Sequence, residues 1–277
     1  MNLVMRTSDG ISLFVEDGGQ GPAVLMAHEF GGDWHSWDGL IDELRKDRRC
    51  SRFSARGFLP SDAPADIAFY GQDRQVLDLL DLAGHLGLLR FHLVGLSMGS
   101  YTSLMFALRH AERLTSLTLM GCSGGPRDDV EQVNYREELR REIALLEREA
   151  GDGAVRWFTN DLAYRRLADK APEVWQAYLA RLRRQSVVGA LNTLRTVHWN
   201  RTPLEAQQTA LRHLRVPTLL IHGDEDHPRV APSNRFLEET LPHCRRLVLP
   251  KTGHLVHIEE PATVKAELRR QFAVSSR

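Results

Sequence analysis

Cysteine is scarce in this chain of 277 residues: Cys50, Cys122 and Cys244 are the only three, and they lie far apart. An odd, scattered set excludes a disulfide framework and fits buried or free thiols in a reducing compartment. Charge of one sign is lacking too. Lys+Arg and Asp+Glu are both 36, so no global field draws the chain to nucleic acid or to an anionic membrane. No apolar run approaches the length needed to cross a bilayer. Met1-Asn2-Leu3-Val4-Met5-Arg6-Thr7 has no apolar core of the kind a signal peptide carries. The expectation is therefore a soluble cytoplasmic protein. In that setting the match of Asn200-Arg201-Thr202 to a glycosylation acceptor carries little weight. Internal repeats and low-complexity tracts are absent as well. What is present is length and apolar content enough for one large α/β domain, or a domain with an insertion, around a substantial core.

Strand-like runs at 3–6 and 11–16 open the chain, separated from the next by the turn-forming Asp17-Gly18-Gly19-Gln20-Gly21-Pro22. Ala23-Val24-Leu25-Met26-Ala27-His28 is continuously apolar up to its last residue, as a strand buried on both faces must be. A helix at 34–46, a strand at 50–55, a helix at 72–86, a strand at 91–96, a helix after it and a strand at 114–120 follow. Alternation with short connections predicts a doubly wound parallel sheet. It stops after Gly121. From 126 to 209 only helical patterns occur, at 131–150, 154–168, 172–184 and 187–196, rich in Arg and Glu and interspersed with Trp157, Trp175 and Trp199. Strand patterns return at 216–221 and 246–249. The organisation expected is a core in two parts, 1–125 and 210–277, with a helical insertion at 126–209. The Arg-rich helices read as a solvated face laced with i,i+4 ion pairs, Glu138 and Glu142 against neighbouring arginines, with an anion-binding surface as the alternative.

Gly95-Leu96-Ser97-Met98-Gly99 lies where a strand meets a helix. A serine there sits on a sharp, strained turn, and glycine two residues before and after removes side chains that would clash. The helix N-terminus directs free N–H groups at whatever the serine attacks. A serine hydroxyl needs a base and a group to orient that base. Asp226 follows the strand at 216–221 and His254 follows the strand at 246–249, which gives the chain order Ser, Asp, His. Asp224, directly after Gly223, reads as a turn residue. His222 is expected to end a buried strand, and His227 and His257 to flank the site or face solvent. No His-x-x-x-His pair lies on a convincing helix with a carboxylate partner, so no metal or other cofactor is expected.

Five motifs together resemble the α/β-hydrolase superfamily, over nearly the whole chain. They are His28-Glu29-Phe30-Gly31-Gly32, Ala55-Arg56-Gly57-Phe58-Leu59-Pro60-Ser61-Asp62, Gly95-Leu96-Ser97-Met98-Gly99, Gly223-Asp224-Glu225-Asp226 and Gly253-His254. The resemblance implies the α/β-hydrolase fold, a mostly parallel eight-stranded sheet with the insertion as a helical cap. It also implies Ser97 as nucleophile, His254 as general base, Asp226 as its orienting carboxylate, and the backbone N–H groups of Phe30 and Met98 as the oxyanion hole. Two departures stand out. Glu29 replaces the usual glycine beside that hole, either salt-bridged away, to Arg56, or reaching the substrate. Ser54 replaces the usual aspartate before Arg56, which must then find another partner. Trp34 and Trp199 are candidate substrate-lining residues, although Trp34 and Trp37 equally suit anchoring a helix to the core.

A serine nucleophile implies acyl transfer on a small-molecule ester or lactone. Carbon–carbon bond hydrolases of aromatic degradation and perhydrolase-like enzymes share such elbows and stand as alternatives. A non-catalytic ligand receptor on the same fold is the rival from another class. A monomer and a homodimer are equally compatible with the sequence.

Overall fold

The computed structural model describes residues 1–274. Eight strands form one sheet: β1 Asn2–Arg6, β2 Ser12–Gly18, β3 Ala23–Ala27, β4 Arg49–Phe53, β5 Phe91–Leu96, β6 Leu114–Met120, β7 Thr218–Gly223 and β8 Cys244–Leu249. Their order is β1-β2-β4-β3-β5-β6-β7-β8. β1–β2 and β2–β4 pair antiparallel, and every later pair is parallel. The central β3 and β5 carry Val24, Leu25, Met26, Leu93 and Val94 with no exposed surface, as burial on both faces demands. Edge strand β8 is half-exposed and carries Arg245 and Arg246, charges that discourage pairing with another chain.

Helices α1 Asp38–Leu44, α2 Gln72–His85 and α3 Met98–Arg109 connect the first strands. Between β6 and β7 lie α4 Asp129–Asn160, α5 Leu162–Lys170, α6 Pro172–Arg183, α7 Val187–Thr193 and α8 Gln208–His213. α9 Val230–Thr240, α10 Val256–Glu259 and α11 Pro261–Val274 complete the chain. α2 packs on α3, and α1 on α11, so helices cover both faces of the sheet.

Several boundaries differ from the sequence reading, three of them for an identifiable local reason. The helix expected at 34–46 begins as a 3₁₀ turn, Trp34–Trp37, because the Asp33 carboxylate accepts from His35 N–H at 2.8 Å. The strand expected from 216 starts at Thr218, after Pro217, which has no N–H for the ladder. The helices expected at 131–150 and 154–168 are instead one long helix kinked at Ala150 (φ 52°) and a short one. The break falls at Asp161, whose side chain caps α5 by accepting from Ala163 N–H at 2.9 Å.

Arg56 pairs with neither Ser54 nor Glu29. Its fully buried guanidinium donates to Asp78 on α2 at 2.5 and 2.6 Å, to Asp9 in the β1–β2 turn at 2.9 and 3.0 Å, and to the Phe69 carbonyl at 2.6 Å. The expected Glu29–Arg56 bridge is therefore not made. A fully buried guanidinium selects the nearest carboxylates that can use its fork. Removing one member of such a network strands buried charge. Arg56→Ala is predicted to lower stability by about 3–5 kcal/mol, measured as a fall in the urea midpoint at constant slope.

Candidate functional site

The turn between β5 and α3 holds one of the three non-glycine residues with positive φ among the described residues. Ser97 has φ 52° and ψ −110°, left-handed geometry that a non-glycine residue adopts only under constraint. Both flanking glycines are required by contact. A Cβ on Gly95 would stand 2.4 Å from the Gly99 carbonyl oxygen, and one on Gly99 would stand 2.2 Å from that of Ala27. β3, β5 and α3 thus meet backbone to backbone, with Ser97 at the apex and half-buried. Met98 opens α3, and its N–H has no partner within the helix. Among the described residues neither it nor the Phe30 N–H donates to any acceptor.

Asp226 and His254 leave adjacent strands and meet. His254 Nδ1 lies 2.6 Å from Asp226 Oδ1, with both side chains only 2 % exposed. The same oxygen accepts from His227 N–H at 2.7 Å. Burial pushes the His254 pKa down, but the charge and hydrogen bond of Asp226 outweigh it and leave the pKa raised. Gly121 (φ 53°), at the end of β6, makes room for the ring: a Cβ there would stand 2.9 Å from His254 Cε1. His254 Nε2 has no hydrogen-bond partner, and it lines the same cavity as Ser97. Asp224 lies apart, exposed, accepting from Thr252 N–H at 3.3 Å in a turn. His222 ends β7 buried, and His257 is buried against the Ser36 carbonyl rather than exposed.

The cavity over Ser97 has a volume of about 90 Å³, with Phe30, His198, Glu142, Tyr164 and Arg201 among its walls. An outer hollow of about 610 Å³ adjoins it and shares Glu138, Trp157, Asp161 and His227. Tyr164 of α5 stands edge-on to His254 with ring centroids 5.5 Å apart. Of the expected lining residues, Trp34 and Trp199 are absent from this cavity. Trp34 packs on Phe14 and under Arg52, and Trp199 lies beneath Arg136 and Arg140. The tryptophan that does line it is Trp157. Glu138 and Glu142 depart from the expected solvated face. Glu138 reaches Arg229 at 3.3 Å, and Glu142 is buried on the cavity wall without a hydrogen bond. Burial, with Glu138 and Asp161 nearby, raises its pKa to about 8.

Glu29 is fully buried behind Phe30. Its Oε1 accepts from Ser36 Oγ at 3.0 Å, and its Oε2 has no hydrogen-bond partner. Burial lifts its pKa to about 7. Asp226, His227 and His254 also present ligand atoms within 4.8 Å of one another. However, Asp226 and the Nδ1 of His254 are already committed to each other, which leaves no open tetrahedral set.

A family profile described as alpha/beta hydrolase fold matches residues 22–261. The chain belongs to the α/β-hydrolase family. It is 29% identical over 262 residues to a Bacillus subtilis (strain 168) protein provisionally assigned as a 2-succinyl-6-hydroxy-2,4-cyclohexadiene-1-carboxylate synthase, with 93% of each chain covered. It is also 29% identical over 264 residues to the 2-hydroxymuconate semialdehyde hydrolase of Pseudomonas sp. (strain CF600), covering 91% of this chain and 87% of that protein. Among solved structures, a thermophilic esterase from Thermogutta terrifontis superposes with a TM-score of 0.84 at 25% identity, covering 99% of both chains. As a member of this family with esterase and hydrolase relatives, the chain is an enzyme with hydrolase activity.

The Glu29 carboxyl of this α/β hydrolase generates a prediction for stability. An unfolded chain releases that proton near 4.5, whereas the folded one holds it to about 7. Between those values the folded state binds more protons, so stability falls as pH rises, and the full cost of about 3 kcal/mol is present above pH 7. Glu29→Gln is expected to be more stable than the parent at pH 8, with the gap closing toward pH 4.5, in urea unfolding at pH 4.5, 6 and 8. Glu142 shifts the same way in both proteins and cancels in the comparison.

Proposed function

We propose that this α/β hydrolase cleaves a small-molecule carboxylic ester or lactone through an acyl-enzyme on Ser97. The observation that carries the reading is the 2.6 Å contact between Asp226 and His254, whose ring lines the same cavity as Ser97 with its Nε2 left without a partner. His254 takes the Ser97 proton through Nε2 while Asp226 holds Nδ1–H and stabilises the imidazolium. Ser97 Oγ attacks the carbonyl carbon, and the free N–H groups of Phe30 and Met98 receive the oxyanion. Collapse expels the alcohol with the proton from His254. Water, deprotonated by the same nitrogen, then releases the acid.

Glu29 fits this reading as an acid protonated below neutral pH rather than as an anion opposing the oxyanion. The insertion at 126–209 serves as the cap, contributing Glu142, Trp157, Tyr164, His198 and Arg201 to the cavity. Likeness to the 2-hydroxymuconate semialdehyde hydrolase supports carbon–carbon bond cleavage as the second reading. Turnover of a ring-cleavage dienoate with none of simple esters would favour it.

Two outcomes are expected. A fluorophosphonate probe labels Ser97, p-nitrophenyl acetate or butyrate is hydrolysed, and Ser97→Ala abolishes labelling while reducing kcat about a thousandfold or more. Folded protein that neither labels nor turns over either ester would overturn the reading. Because Asp226 raises the His254 pKa, kcat/KM should fall on the acid side with an apparent pKa above 6.5, read from a pH–rate profile.

A further inference from the structure

Arg201, half-buried, breaks the rule that the buried guanidiniums of Arg52 and Arg56 obey by pairing with carboxylates. Arg56 uses its nitrogens on two carboxylates and a carbonyl. Arg201 uses none: its Nε and Nη2 are buried without a hydrogen bond, and it makes no ion pair among the described residues. What holds it in place is the face of Tyr101, 4.8 Å from the guanidinium carbon, beside the π-helical turn Leu194–His198. The group lines the cavity that contains Ser97 and His254.

The acids around it are otherwise engaged. Glu138 is taken by Arg229, and Asp161 caps α5 and lies 3.6 Å from His227 Nδ1. Glu142 keeps its proton at neutral pH, since its pKa is raised to about 8. Arg229 itself is held over the Tyr135 ring at 4.4 Å with its Nε unpartnered. Arg201 is therefore the permanent cation on this wall that has no carboxylate partner among the described residues, whereas Arg229 has Glu138. A guanidinium cannot shed its proton to escape the cost of enclosure. Its planar fork matches a carboxylate in bidentate geometry.

We propose that Arg201 is the carboxylate-recognition residue of this site, and that the preferred ester or lactone carries a free carboxylate a few bonds from the scissile carbonyl. The assignment rests on the serine-hydrolase reading for the identity of the scissile group, and on the lone guanidinium for the carboxylate. Protonated Glu142 adds a hydrogen-bond donor to the same wall, so both groups favour an anionic acceptor. The small inner cavity limits the carboxylate-bearing part to a short chain, with the remainder of the substrate in the outer hollow.

Binding separates the two ideas, because it needs no turnover. Ser97→Ala protein is titrated calorimetrically with the monomethyl and dimethyl esters of succinate, glutarate and adipate. At least one monoanion should bind roughly tenfold or more tightly than its neutral diester. Arg201→Gln in the same background should weaken that monoanion by roughly 10- to 100-fold, the worth of a charge-assisted hydrogen bond. Arg201→Lys should recover part of the loss, and Arg141→Gln, on the exposed face of α4, none of the effect. In the active protein, Arg201→Gln should lower the ratio of kcat/KM for a p-nitrophenyl hemiester to that for p-nitrophenyl butyrate by a similar factor, a ratio independent of the fraction folded. No preference for any monoanion, or an Arg201→Gln that leaves the preference intact, overturns the carboxylate site. Selective monoanion binding without fluorophosphonate labelling of Ser97 upholds the site and removes the hydrolase reading.

Discussion

The site depends on how closely three backbones approach at the end of β5. Gly99 has the Ala27 carbonyl oxygen 2.2 Å from where a Cβ would be, and Gly95 has the Gly99 carbonyl at 2.4 Å. No side chain fits at either position, so β3, β5 and α3 lock into one arrangement. That arrangement forces Ser97 into left-handed geometry and frees the Met98 N–H at the head of the helix. Strain at one residue is stable because the sheet and helix on either side determine it. His254, Asp226 and Phe30 then only have to be delivered to a point already fixed. The parallel strands β3, β7 and β8 do this by ending at the same edge.

Two buried carboxyls give the site an unusual electrostatic character. Glu29 lies behind the Phe30 loop, and Glu142 lies in the cavity wall. Each is enclosed without a basic partner, and each answers by holding its proton to near or above neutrality. Below neutral pH neither carboxyl therefore adds negative charge around Ser97, while the Arg201 guanidinium has no such recourse. Enclosure decides all three states: the acids can neutralise, the guanidinium cannot.

The sheet was legible because its signals are local. Continuous apolar runs, glycines at forced turns and the Ser, Asp, His order all lie within short stretches of chain. The pairing of Asp226 with His254 follows from strands β7 and β8 being neighbours. Arg56 was partly legible: its need for a new partner followed from Ser54. That the partners were Asp9 and Asp78, 47 and 22 residues away in sequence, did not. The helical insertion was the opaque part. Its charged residues repeat at helical spacing, so periodicity alone could not say that Glu142 turns inward while Glu137 pairs outward with Arg141. Trp199 and Trp157 were equivalent as sequence, and tertiary packing chose between them. Arg201 stood in the chain only as the middle of a glycosylation match. Its meaning appears when one counts its partners in three dimensions.

The backbone N–H of His254 donates to the carbonyl of Ala163, on α5, at 2.7 Å. Arg166 and Lys170 of the same helix pair with Glu225 and Glu260 at 2.5 and 2.6 Å. α5 is therefore less a roof over the histidine loop than one of its supports. Anyone exchanging the helical insertion between members of this family to transplant specificity would be exchanging part of the bearing on which the imidazole turns. The separable unit is smaller than the insertion: a graft that keeps Leu162–Lys170 and replaces the segments around it would carry new walls without moving His254.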